Sequence, residues 1–152
     1  MWLTSADFAD KGTIPRICTC ESEDLSPALQ WGEAPPKTQS FVLLCNDPDA
    51  PGGVWRHWAA YDIPASFGGL TRGAGRVAEH EKFRQAVNDF GRPGYGGPCP
   101  PRGHGPHHYR FRLLALSIDQ LPVRKGAHCW DVEREALKHA LAEAELVGTF
   151  ER

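Results

Sequence analysis

The spacing of apolar positions changes several times along the chain, and each change marks an element. Ser40 to Asn46 (SFVLLCN) is a continuous apolar run that ends in the turn cluster Asp47 to Gly53, DPDAPGG. A run this short suits a strand buried on both faces, although periodicity alone does not separate it from a buried helical segment. Val54 to Pro64 (VWRHWAAYDIP) alternates and predicts a second central strand. Trp55, His57, Ala59 and Tyr61 lie on one side of it, with Arg56, Trp58 and Ala60 on the other. Arg110 to Leu116 (RFRLLAL) predicts a third strand. Nearer the start, Ile14 to Cys20 (IPRICTC) alternates as a strand would, and Leu29 and Trp31 share one face of an extended segment. Ala65 to Asp89 has no clear period and reads as a long connection with a helical turn around His80 to Ala86. Past Asp131 the period lengthens. Val132, Ala136, Leu137, Ala140, Leu141, Ala144 and Val147 form a helical stripe, with Asp131 as N-cap and Gly148 as the stop.

At 152 residues the chain fits one domain, residues 1–152, with a real core. The 16 glycines and 13 prolines are scattered rather than gathered in a tail, which favours short elements joined by turns over a helix bundle. The expectation is a mainly β fold with a C-terminal helix. A net charge of −2 argues against a nucleic-acid platform. There is no apolar run long enough for a transmembrane helix, and the acidic start MWLTSADFADKG lacks the features of a secretory signal, so a cytoplasmic protein is expected. The five cysteines are odd in number and lack CxxC spacing. They are read as reduced thiols, with Cys99 the one whose reactivity merits a test.

Candidate chemistry gathers at one stretch. Tyr95 to Tyr109 (YGGPCPPRGHGPHHY) is too rich in Gly and Pro for a helix and carries three imidazoles into the strand that follows. Asp47, His57, His107 and Tyr109 all stand at strand-to-loop junctions. If their strands are neighbours, these groups converge at one end of the sheet. Imidazole N–H, phenol O–H and glycine-loop amides would capture an anion there, with Asp47 fixing a histidine tautomer so that the second ring nitrogen donates. Asp47 can also serve as a turn former ahead of Pro48. His104 and His108 read as exposed loop residues, and the tryptophans mostly as core. A metal-dependent hydrolase built on Asp47, Asp49, His57 and His107 is the alternative of a different class, and a protein-interaction inhibitor module is a third.

These segments carry a resemblance. LTSADF (3–8), SPALQW (26–31), SFVLLCNDPDAP (40–51), WRHWAAYDIP (55–64), residues 88–116 and LVGTFER (146–152) resemble, in order, the phosphatidylethanolamine-binding protein family in its small bacterial and archaeal, Raf-kinase-inhibitor-like form. The pair DPDAP and GPxPPxGxxxHxY is specific. The resemblance implies a Greek-key fold of two antiparallel sheets with a C-terminal helix, and an accessible pocket for phosphate-like anions or phospholipid head groups. By position it implies Asp47, His57, Pro100, Pro101, His107 and Tyr109 as ligand-binding residues, supported by Asp49, Trp55 and Cys99, with no catalytic residue, metal or cofactor. It leaves room for a kinase or other protein partner and for a homodimer. Only Gly52, Gly53 and Val54 separate Pro51 from Trp55, a loop shorter than in eukaryotic members. The kinase-inhibitor expectation therefore transfers less well than the pocket.

Overall fold

The computed structural model describes residues 1–76 and 82–152, and the apolar runs lie at the centre of the larger of two antiparallel sheets. In chain order the strands are β1 (Trp2–Thr4), β2 (Leu29–Gly32), β3 (Ser40–Asp47), β4 (Trp55–Pro64), β5 (Gly69–Leu70), β6 (Arg84–Gln85), β7 (His107–Leu116) and β8 (Ala140–Phe150). Among the described residues one α-helix, α1 (Cys129–Leu137), lies between β7 and β8. The small sheet has the order β1-β2-β5 and the large one β6-β4-β3-β7-β8.

Strand β3 shows why its sequence lacks alternation, for all of its residues are buried. Phe41, Leu43 and Cys45 pack with Leu3, Leu29, Trp31 and Leu70 from the small sheet. Val42 and Leu44 face the other way, into a second core with Val132 and Ala136 of α1. With both faces covered, period two disappears from the sequence.

The helical stripe from Val132 to Val147 is split. Helix α1 ends at Leu137, His128 rather than Asp131 stands at its N-cap, and Ala140–Phe150 pairs along the whole of β7. The same residues fit a second period, because Ala144, Leu146, Gly148 and Phe150 are all buried on one face of β8. Two ion pairs cross the opposite face, Arg110 with Glu145 and Arg112 with Glu143. Unpaired, β7 would be a long apolar edge, and closing that edge outweighs local helix propensity. Gly148 therefore stops no helix. A Cβ on it would lie 2.5 Å from Ile14 Cγ1 and 2.8 Å from Phe8 Cε2, so it is a point of close approach under the sheet.

Four further expectations are corrected. Ile14 to Cys20 is not a strand: Pro15 has no N–H for a ladder, and Arg16–Cys18 forms a 3-10 turn closed by Cys18 N–H to the Pro15 carbonyl at 2.9 Å. Of the helical turn at His80 to Ala86, His80 and Glu81 lie outside the described residues, while Arg84–Gln85 forms β6 against Tyr61 and Ala60. Nor are all five thiols free. Cys20 and Cys99 form a disulfide, Cα–Cα 5.4 Å, leaving Cys18, Cys45 and Cys129 as buried thiols. A pairing across 79 residues of sequence depends on how the two loops meet, which spacing does not reveal. Trp31 and Trp58 are core, whereas Trp2, Trp55 and Trp130 are exposed, so core packing accounts for only two of the five tryptophans.

Candidate functional site

Antiparallel pairing of β3 with both β4 and β7 brings three strand ends together. Asp47 ends β3, His107 begins β7, and Asn46 pairs with Arg110 on one side and Arg56 on the other. Between the pairs Asn46–Arg56 and Cys45–Trp58 the register slips by one residue, a bulge centred on His57. A regular strand would put His57 on the face of Ala59 and Tyr61, as alternation predicts. The bulge instead aims it toward Tyr109, with ring centroids 5.3 Å apart, and Phe90, 5.4 Å away.

Asp47 is 3% exposed and holds two partners. Its Oδ1 accepts the Asp49 N–H at 2.8 Å, the turn-forming role, and its Oδ2 accepts from His107 Nδ1 at 2.6 Å. A carboxylate only accepts, so the His107 proton sits on Nδ1. The other ring nitrogen, Nε2, lies 2.6 Å from Nδ1 of His104. Both nitrogens of His107 are thus engaged, and its expected donation to an anion would require breaking the His104 contact. His104 is exposed, as expected, but it completes this chain of hydrogen bonds. Its three-residue spacing from His107 was the available signal.

His57 is 3% exposed. Its Nδ1 donates to the Gly96 carbonyl at 2.6 Å, and the Gly96 N–H returns a bond to the His57 carbonyl at 3.0 Å. Burial pushes the imidazole below its ordinary pKa, against the opposing pull of the Gly96 carbonyl and the Asp47 and Asp89 charges. Tyr109 is fully buried, and its hydroxyl has no hydrogen-bond partner. Burial first, and then the Asp47 charge, push that phenol upward, so it remains an O–H donor.

Asp47, His57, His107 and Tyr109 line a pocket of about 210 Å³ together with Trp55, Cys99, Pro100 and Pro101. Asp49 is not among them. It accepts the backbone and ring N–H of His108 at 2.8 Å each, and although partial burial pushes its carboxyl up, these bonds leave it lowered. Ala50, Pro51 and Phe90 also line the pocket and were not singled out from the sequence. Phe90 meets Trp55 edge-on at 5.4 Å, forming an aromatic lip. Three of the glycine amides expected to form an anion nest are already spent within the fold. Gly96 donates to His57, Gly97 to Asp24 Oδ1 and Gly103 to Arg152. Gly97 is a point of close approach, where a side chain would collide with Asp24 and the Cys18 carbonyl. Among the described residues no group of three or more His, Cys, Asp or Glu is arranged to hold a metal ion.

A family model described as phosphatidylethanolamine-binding protein matches residues 4–151. A UPF0098 protein of Aquifex aeolicus is 44% identical over 152 residues, spanning 100% of this chain and 89% of that protein. The crystal structure of Escherichia coli YbcL, described as a new member of the mammalian PEBP family, matches with a TM-score of 0.93 at 34% identity, covering 99% of this chain and 98% of the other. A phosphatidylethanolamine-binding protein homologue of Chlamydia trachomatis, CT736, matches with a TM-score of 0.87 at 31% identity over 99% and 97% of the two chains.

Proposed function

The chain belongs to the phosphatidylethanolamine-binding protein family, and on that premise we propose that its pocket holds a phosphate-like group, borne by a small molecule or a phospholipid head group. The observation that carries this reading is the Tyr109 hydroxyl, a fully buried donor without a partner on the wall of a concave site. Buried donors are nearly always satisfied, and an orphan on a residue that lines a pocket supports a ligand acceptor. Asp47 and His104 fix the His107 ring from both sides, so that it forms a rigid wall. His57 supplies the second polar contact.

The role is binding without turnover. Calorimetric titration of inorganic phosphate and phosphoryl-ethanolamine, with chelator present, tests it in wild type and Tyr109→Phe. The expected result is binding that survives chelation and weakens at least about tenfold in the variant. Equal binding by both proteins would place the anion elsewhere, and no binding to wild type would end the proposal. The Cys20–Cys99 bridge supports an oxidising compartment as the working environment rather than the cytoplasm expected from the sequence.

A further inference from the structure

We infer that the Cys20–Cys99 bridge is a thiol-exchange site that controls the pocket: small thiols open it, and its opening weakens the hold on the ligand. The inference rests on the phosphoryl reading above and concerns the regulation of that same site.

The two ends of the bridge lie in different surroundings. Cys20 is exposed, whereas Cys99 is half-buried between the buried Pro98 and Pro100 and belongs to the pocket lining. Cys99, Pro100 and Pro101 together line one stretch of the pocket wall. Proline has no N–H, so the segment from Pro98 to Pro101 has a single backbone donor, that of Cys99, and no ladder can hold it. Its carbonyls accept instead. Pro98 accepts the Cys20 N–H at 3.1 Å, Pro100 accepts from Arg152 Nε at 2.8 Å, and Pro101 accepts the His104 N–H at 3.2 Å, a bond that stays within the same loop. The bridge is the covalent tie between this wall and the loop that carries Cys20.

The prolines fix φ, so the wall is stiff and moves as a unit. Released at Cys99, it can shift and carry Pro100 and Pro101 away from a ligand. The residues just before it stay in place, because Gly96 N–H remains bonded to the His57 carbonyl and Gly97 N–H to Asp24. Opening therefore loosens one wall and leaves the fold. A wall set before the ligand arrives binds it more tightly than one that must be ordered on binding.

The exchange begins at the exposed sulfur. A solution thiolate attacks Cys20 Sγ, the bond to Cys99 breaks, a mixed disulfide forms on Cys20, and Cys99 leaves as a thiolate that takes up a proton. With a dithiol, the second thiol then displaces Cys20. The dithiol ends as its own cyclic disulfide, and two electrons and two protons have passed to the protein. Linkage makes the coupling reciprocal: the factor by which reduction weakens ligand binding is the factor by which bound ligand resists reduction.

Dithiothreitol is the probe thiol, because it is uncharged and does not compete for an anion site. Inorganic phosphate is titrated calorimetrically, at neutral pH and room temperature, into oxidised wild type, wild type in excess dithiothreitol, and the double variant Cys20→Ser/Cys99→Ser. Oxidised protein should bind at least about fivefold more tightly than the other two, which should agree. In mixtures of reduced and oxidised dithiothreitol, saturating phosphate should shift the thiol count toward the bridged form by that same factor. A smaller difference in affinity, or a bridge equilibrium indifferent to phosphate, would overturn the inference while leaving the anion site in place. Reduced wild type that is unfolded at room temperature would also overturn it, since affinity would then be lost with the fold. No binding to the oxidised protein would remove the phosphoryl reading itself and the inference with it. If the double variant fails to fold, the reduced wild type still decides.

Discussion

Replacing both Cys20 and Cys99 with serine removes a cross-link between partners 79 residues apart in sequence. In the chain-entropy model, closing a loop of that length restricts the unfolded state by about 15 cal/mol/K, or about 4.5 kcal/mol at 25 °C. Measured effects more often fall at about 2–4 kcal/mol, and the native contacts point to a loss within that range. The two loops stay joined without the sulfurs, through Cys20 N–H to the Pro98 carbonyl at 3.1 Å, Gly97 N–H to Asp24 at 2.9 Å and the Tyr95 hydroxyl to the Cys18 carbonyl at 2.7 Å. The variant should therefore fold, with its melting temperature lower by about 5–15 °C for a domain of this size. Thermal melts with and without reductant are the assay. Reductant should lower the wild-type midpoint and leave the double variant unmoved. Wild-type protein denatured without reductant should show three titratable thiols, Cys18, Cys45 and Cys129. Five thiols, or a wild-type melt indifferent to reductant, would refute the bridge.

Gly148→Ala should cost about 1–3 kcal/mol in denaturant melts, because its Cβ would lie 2.5 Å from Ile14 Cγ1 in a filled core; a change under about 0.5 kcal/mol would contradict the packing. Tyr109→Phe should leave stability unchanged or raise it by about 1 kcal/mol, since the lost hydroxyl is buried without a partner, and a clear loss in the same melts would mean that the hydroxyl is satisfied. His57 has its imidazole lowered by burial, so the unfolded chain protonates first as pH falls. Its contribution is flat above about pH 6.5, and stability declines from there down to the lower folded-state value. Urea melts from pH 5 to 8 on wild type and His57→Phe should show that slope only in wild type. An NMR midpoint for His57 at or above 6.5 would contradict the sign.

What the sequence disclosed depended on how local each signal was. Strands β3, β4 and β7 were legible because their apolar runs are long and end in turn clusters, and the motifs DPDAP and GPxPPxGxxxHxY marked the pocket walls. The Ala- and Leu-rich stretch after Asp131 satisfies a helical and a strand period together, and only the exposed edge of β7 selects between them. The bulge at His57 is invisible to alternation because it is a slip against a partner strand. Long-range pairing hid the Cys20–Cys99 bridge in the same way. At His107 the chemistry was readable as a carboxylate-oriented imidazole, but His104 on its far nitrogen was not, and that contact moves the role of free donor to Tyr109.

The most direct test of a phosphoryl site in this pocket is a crystal structure of the protein grown with inorganic phosphate near pH 6. The account predicts one phosphate between β3, β4 and β7, with oxygens within about 3.2 Å of Tyr109 Oη and His57 Nε2 and the Asp47–His107–His104 chain unbroken. Phosphate held only at surface arginines, with the pocket containing water alone, would contradict it.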